Sequence, residues 1–530
     1  MKKEKLRSYG KRSLCFSLAA LMTVCSVGCG DKSTAGKTEI KTGADFSYPI
    51  KTEESLRFWY VDYTAGKVKR EQAPLYQKIA EKTGVKIEYV PVTPSVAQEQ
   101  FNLLLASGEL PDIVSYDWMG LPGGAQNAVD AGHILKLNDL IDDYMPNLKA
   151  YMAEDKNREK QAKNDAGNFC FVPAFRGDEE LLTYTGPIIR KDWLDELGLE
   201  VPETIDEWHT ALKAFKEKKG ATAPFVCDPV YLTMFISGAY PVSMGGYHDD
   251  CYLVDGKVVY GPIQESYREA VKVLSRWYKE GLIDRNIASV DTNTINSKMT
   301  NGQAGASFGL AGGALGTWMT NMQNVDKNYN LVGTKYPVVN KGDTPYLGQK
   351  DNTMMNVSQT ISAKVKNAPL AARYLDYFFS EEGNMLQCYG EEGVAYDMVD
   401  GKPVYKQEIL RGGEFNKYAD VGGGLGIQRW GAYSQNLLFE NQKTAIENWG
   451  ISNAKDHLLP PLTFTSDESA KVSKLLSDIK TYQAEQFYKF VFGVENIETG
   501  FDAYVAKIKQ MGIDEVLSCK QAAYERFLNK

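Results

Sequence analysis

Histidine is scarce in this chain. The four present, His133, His209, His248 and His457, show neither HExxH nor another ligand spacing, so no histidine-built metal centre is expected. Cysteine is thin too: of eight, Cys15, Cys25 and Cys29 fall in the first 29 positions. The other five, Cys170, Cys227, Cys251, Cys388 and Cys519, form an odd set without CxxC spacing, which excludes a disulfide framework and a zinc site. A single Cys227–Cys251 bridge stays open beside the alternative of free buried thiols. Basic charge is in deficit, with 60 Lys and Arg against 68 Asp and Glu. An acidic surface repels polyanions, so nucleic acid is not an expected partner. Past the N-terminal segment no apolar run approaches the roughly 20 residues that span a bilayer. No repeat with a period of about 20–50 residues appears either.

What is present begins with a leader. MKKEKLRSYGKR is basic, LCFSLAALMTVCSV is apolar and too short to span a bilayer, and Gly28-Cys29 follows. This resembles a bacterial lipoprotein signal, with Ser26 standing where that pattern usually has Leu. The resemblance implies removal of residues 1–28 and lipidation of Cys29. The polar stretch 29–50 then serves as a flexible tether, and a lipid anchor is the expected membrane attachment. At 530 residues the remainder exceeds one ordinary core, and two or more domains are expected.

SLRFWYVDY reads as a first strand and its exit loop, APLYQKIAEKTG as a helix stopped at Gly84, and VKIEYVPV as a second strand. QEQFNLLLASGEL is a second helix, and PDIVSYDW supplies a third strand. That alternation predicts an α/β fold with a parallel sheet and helices on both faces. Ligands in such sheets sit beyond the carboxyl ends of the strands, which puts Trp59, Tyr60, Tyr116, Asp117 and Trp118 on one rim. ILKLNDLIDDYMPNLKAYM is a helical stretch broken at Pro146, and Thr204 ahead of Glu207 has capping-box spacing. A second series of strands and helices follows, and the tail from Pro460 is mostly helical.

Trp193, Trp208 and Trp277 lie within helical apolar stripes and are expected to pack. Trp59, Trp118, Trp318 and Trp430 lie near loops and are candidate platforms for a ligand with C–H faces and hydroxyls. Trp118 beside Asp117 is the sharpest of these, since face and edge of one ring would be read together. In FRGDEE, Phe175 adds an aromatic face, with Arg176 as donor and Asp178 as acceptor for paired hydroxyls. Arg429 beside Trp430 repeats the theme. Ala311, Gly313 and Gly316 come close to a dinucleotide fingerprint but lack the later acid; Gly313 instead offers close backbone approach. Asp155, Asn157 and Glu159 have a calcium-loop rhythm without the Gly at the sixth place or the Glu at the twelfth. No metal and no cofactor is expected.

SGELPDIVSYDW, RKDWLDELGLEVPETIDEW, NGQAGASFG and FDAYVAKIKQMGIDE…YERF, in that order, resemble the extracellular solute-binding lipoproteins of ABC sugar importers, of the family 1, long Gram-positive type. The resemblance implies a two-lobe, periplasmic-binding-protein-like fold of type II, with a hinge and a ligand in the interlobe cleft. Lobe 1 would comprise 51–175 and about 335–400. Lobe 2 would comprise about 180–334 and 401–530, with a first crossing near Pro173 to Tyr184. It further implies a non-catalytic monomer on the outer face of the cell membrane that hands an oligosaccharide to an ABC permease. A secreted glycoside hydrolase and a receptor for a peptide or other non-sugar solute are the alternatives.

Overall fold

Buried and exposed positions alternate at the start of Ser55–Val61 and then run buried, as in a strand that enters a covered sheet. It pairs in parallel with Lys86–Val92 on one side and Ile113–Asp117 on the other, with Trp59 opposite both Val90 and Val114. The helices between them, Pro74–Thr83 and Ala97–Ser107, each end on a glycine in the left-handed region, Gly84 and Gly108. A fourth strand, Val357–Ile361, closes the sheet antiparallel to Ile113–Asp117. The structure is a computed structural model, and it describes residues 38–43, 46–245, 248–422 and 424–530. The expected leader and Cys29 lie outside the described residues, as does half of the expected tether; the described half, 38–43 and 46–50, is not a free tether but packs on the first lobe through Ile40 and Ile50.

The second sheet is built differently from the first. Thr185–Arg190 is buried along its whole length and lies between Ala306–Leu310 and Leu331–Gly333, antiparallel to both. A short apolar run says nothing of strand direction, so this arrangement was not readable locally. The helix Ile205–Lys219 carries the expected capping box, with Thr204 accepting from the Glu207 N–H and Glu207 from that of Thr204. Asn138–Tyr144 and Pro146–Ala153 are separate helices, broken at the proline.

Each sheet anchors its own hydrophobic core. The first holds Phe58, Ile113, Leu148, Phe175, Ile361 and Leu425; the second holds Ile188, Trp208, Trp277, Phe308, Tyr336, Trp449 and Val516. This is a two-lobe α/β architecture. A smaller cluster around Tyr389, Tyr405 and Phe415 extends from the first lobe. Core membership moves the expected breaks. Tyr336 belongs to the second core, where its hydroxyl donates to the Thr185 carbonyl, and Leu347 packs beside Met244 and Tyr252. The chain rejoins the first core at Met354 and leaves it only after Leu425. On this criterion the crossings shift from 335 and 401 to around 350 and 430. The polar run after Tyr336 looks like a boundary but is a loop of the second lobe. Helices Ser466–Val491, Ile497–Gln510 and Ile513–Leu528 complete that lobe. The five described cysteines are free thiols, so Cys227 and Cys251 are not bridged. Among the described residues no helix is long and apolar enough to cross a membrane.

Candidate functional site

Two cavities meet at Asp117, where the third strand ends. The inner one, about 570 Å³, lies in the first lobe between the strand ends and the 416–425 segment. The outer one, about 790 Å³, lies between the lobes. Either volume alone suits a drug-sized ligand, so a trough made of both has room for a longer one.

The inner wall is built from the exit loop of Ser55–Val61. The Asp62 carboxylate accepts from the Thr64 N–H at 2.8 Å, the Thr64 hydroxyl at 2.6 Å and the Gly66 N–H at 2.9 Å. That turn holds Tyr63 out into solvent, 77% exposed. Tyr60 lies below it with the Arg70 guanidinium 3.6 Å from its ring centroid; burial pushes the Tyr60 phenol up to about 12. Arg70 also lies over Tyr76, and Asp420 faces both, accepting from the Tyr76 hydroxyl at 3.2 Å and lying 3.9 Å from Arg70. Tyr116 lines the opposite side, its ring 4.2 Å from that of Phe101 between centroids.

Asp117 sits at the junction of the two cavities. It accepts the Gly120 N–H at 2.9 Å, and a Cβ on Gly120 would come within 2.8 Å of that carboxylate, so a larger residue there would push the Asp117 side chain aside. Burial raises the Asp117 pKa against the backbone bonds that lower it. The outer cavity adds Arg176 and Asp351 from the crossing segments, 2.7 Å apart, and His248, Asp249, Lys480 and Lys520 from the second lobe. Tyr184 donates to Asp351 at 2.8 Å, and the Arg176 guanidinium lies over its ring. Lys520 is buried and lies 3.1 Å from Asp249, which Lys480 also contacts. Burial holds the His248 imidazole below its ordinary range.

Of the expected site residues, Tyr60, Asp117 and Arg176 line the trough. Trp118 does not. It is fully buried, with its indole N–H donating to the Val114 carbonyl at 3.1 Å and its ring edge-on to Phe101. Tyr116 and Trp118 both meet Phe101 of the helix Ala97–Ser107, and packing on that helix encloses the Trp118 ring. Trp59 is buried against Phe101 and Tyr116, Trp318 is buried with its N–H on Asn296, and Phe175 is a core residue. None of these three can stack on a ligand in this structure, because strand and helix packing has taken their faces. Asp178 serves the backbone instead, accepting the Trp430 N–H at 2.6 Å, so it is not the partner of Arg176. Arg429 is held by Asn384 and by Glu381 at 3.0 Å, and Trp430 packs near Tyr433. Gly313 is exposed at a helix start, and neither it nor Trp430 borders either cavity.

Tyr63 was not among the expected site residues, although its place in the first strand's exit loop was a local signal for it. Arg70, Asp420, His248, Asp249, Lys480 and Lys520 had no local signal, because only tertiary folding brings them together. Gly305–Gly309 spell GxSxG, a hydrolase spacing, but Ser307 is fully buried in mid-strand. Asp155 caps the helix Lys156–Ala162 by accepting the Asn157 N–H at 2.9 Å. Among the described residues no group of three or more His, Cys, Asp or Glu side chains is placed to hold a metal ion.

Comparisons with known proteins agree with this architecture. The family model for bacterial extracellular solute-binding proteins matches residues 65–385. The fructooligosaccharide ABC transporter substrate-binding protein FusA of Streptococcus pneumoniae is 25% identical over 97% of this chain and 98% of its own. The polygalacturonan/rhamnogalacturonan-binding protein YtcQ of Bacillus subtilis is 23% identical over 85% of this chain and 88% of its own. Among solved structures, the alginate-binding protein AlgQ2 without calcium ion superposes with a TM-score of 0.74 at 26% identity, covering 91% of this chain and 100% of that one.

Proposed function

The chain belongs to the bacterial extracellular solute-binding proteins, and from that premise we propose that it captures an oligosaccharide outside the cell and delivers it to an ABC transporter permease. The observation that carries this reading is the trough through Asp117, bordered by tyrosine rings, carboxylates and residues of both lobes. Rings such as Tyr63 and Tyr116 offer flat faces for pyranose or furanose C–H groups, while Asp117 accepts from hydroxyls. Relatives named for fructooligosaccharide and for polygalacturonan binding support a saccharide chain as the ligand class. Ligand contacts in both lobes favour a closed form, because a ligand shifts the equilibrium by its differential affinity for the two states. The protein binds without chemistry: its family and relatives are binding proteins. It works as a monomer.

Lipid anchoring through Cys29 is part of the same reading, supported by Gly28-Cys29 behind an apolar run. A Cys29→Ala variant that stays in the membrane fraction would count against it. The test of function is a thermal-shift screen across oligosaccharides, followed by calorimetric titration. A saccharide should raise the melting temperature and be recovered intact. Stabilisation by peptides alone, or steady release of reducing ends by pure protein, would overturn the reading.

A further inference from the structure

Resting on the oligosaccharide reading, we infer that the inner cavity receives an uncharged end of the chain and rejects one that carries a carboxylate. Three carboxylates border that cavity, Asp62, Asp117 and Asp420, against one permanent cation, Arg70. Arg70 is not free for a ligand acid. Its guanidinium is covered by the Tyr60 ring at 3.6 Å and lies near Tyr76, with Asp420 at 3.9 Å.

Asp62 is consumed by its own turn, since it accepts from Thr64 twice and from Gly66. Asp117 at the entrance has backbone N–H partners but, among the described residues, no ion-pair partner. An acidic ring passing from the outer cavity to the inner one would therefore meet a carboxylate first and no available cation beyond it. Juxtaposed like charges suppress wrong partners, and a charge taken out of water needs a partner to offset its desolvation.

The outer cavity differs. Arg176 is matched by Asp351, and Lys480 and Lys520 share Asp249. Acidic substituents are tolerated there more readily than within. The asymmetry is one of position, so the ligand has an end that must be neutral. Hydroxyls suit the inner cavity well, because Asp117 and Asp420 are acceptors and the tyrosine hydroxyls can donate or accept.

The test uses the full chain and matched saccharides in calorimetric titration. Short neutral xylo-, galacto- and fructo-oligosaccharides are compared with derivatives bearing a carboxylate at one terminus, either a uronic acid unit or an oxidised reducing end. The expected result is a neutral binder whose affinity falls about tenfold or more when one particular end is made acidic. In a folded Asp117→Asn variant, checked by its melting temperature, that gap should narrow at least about threefold. Acid-ended chains that bind as tightly as their neutral parents, at either end, would overturn the inference and leave saccharide binding intact. So would a gap unmoved by Asp117→Asn. If no saccharide of either set binds or shifts the melting temperature, the functional reading fails and the inference falls with it.

Discussion

A tyrosine at the tip of a braced turn offers a ring to solvent at little cost to the fold, and Tyr63 stands this way because three donors fix the Asp62 carboxylate beneath it. Trp118 is its opposite, enclosed by packing and with its one donor satisfied inside the sheet. Alanine at each position should separate the two roles. Tyr63→Ala should leave unfolding free energy within about 0.5 kcal/mol of wild type, as exposed substitutions do, and should weaken saccharide binding by about 1–2 kcal/mol, toward hot-spot size. Trp118→Ala should cost about 3–5 kcal/mol of stability and leave the affinity of the folded fraction nearly unchanged. Urea unfolding and titration on both variants read this out. A Trp118→Ala protein as stable as wild type would contradict the burial described above.

At the scale of elements, Asp376 at the end of the helix Ala368–Asp376 reaches across to the start of the helix Pro146–Ala153. It accepts the Leu148 N–H at 2.9 Å and the Asn147 side-chain amide at 2.8 Å. Burial pushes its pKa up to about 6 from 3.8, with the hydrogen bonds and Arg373 opposing. The native state therefore holds this proton more tightly than the unfolded chain. Its contribution to stability is full below about pH 4 and is lost as pH rises to about 6, an effect on the order of 3 kcal/mol at most. Other carboxylates, such as Asp62, have lowered pKa values and stabilise in the opposite direction, so the difference between wild type and Asp376→Asn is the quantity to follow. That difference should change between pH 4 and 6 and stay flat from 6 to 8 in urea titrations. A difference that is constant across pH 4–6 would refute the assignment.

The same elements show what a sequence carries in legible form. The capping box at Thr204, the glycine stops at Gly84 and Gly108 and the break at Pro146 are local, and each could be read within a few residues. The strand Val357–Ile361 comes from far along the chain, and Asp420 faces Arg70 from farther still. Trp118 shows the limit within a single motif. Its place after a strand is a local feature, but its enclosure against Phe101 and the Val114 carbonyl depends on how the helix Ala97–Ser107 packs on the sheet.

Away from the trough, ion pairs join the two lobes of the whole molecule and are the contacts that a closure of the lobes would use. The C-terminal helix Ile513–Leu528 of the second lobe leads Arg526 and Lys530 to the turn at Asp165 in the first. Arg526 Nε donates to Asp165 at 2.5 Å, and Lys530 lies 3.2 Å from the same carboxylate while donating to the Lys163 carbonyl at 2.8 Å. The Thr463 hydroxyl donates to Asp165 as well. None of Asp165, Arg526 and Lys530 borders either half of the trough, so they can bias closure without touching a ligand. Partly exposed pairs are worth roughly 0.2–1 kcal/mol each, and the two together roughly 0.4–2 kcal/mol, about a two- to thirtyfold change in equilibrium. Asp165→Ala should therefore enlarge the ligand-free radius of gyration in small-angle scattering and weaken binding by a factor of about three to ten. Its ligand-saturated radius should match wild type, because the apparent affinity falls only with the closed fraction. Screening gives a second handle, since higher salt should weaken wild type and draw the two proteins together. An Asp165→Ala variant with wild-type radius and affinity at low salt would mean that the ligand alone holds the lobes shut.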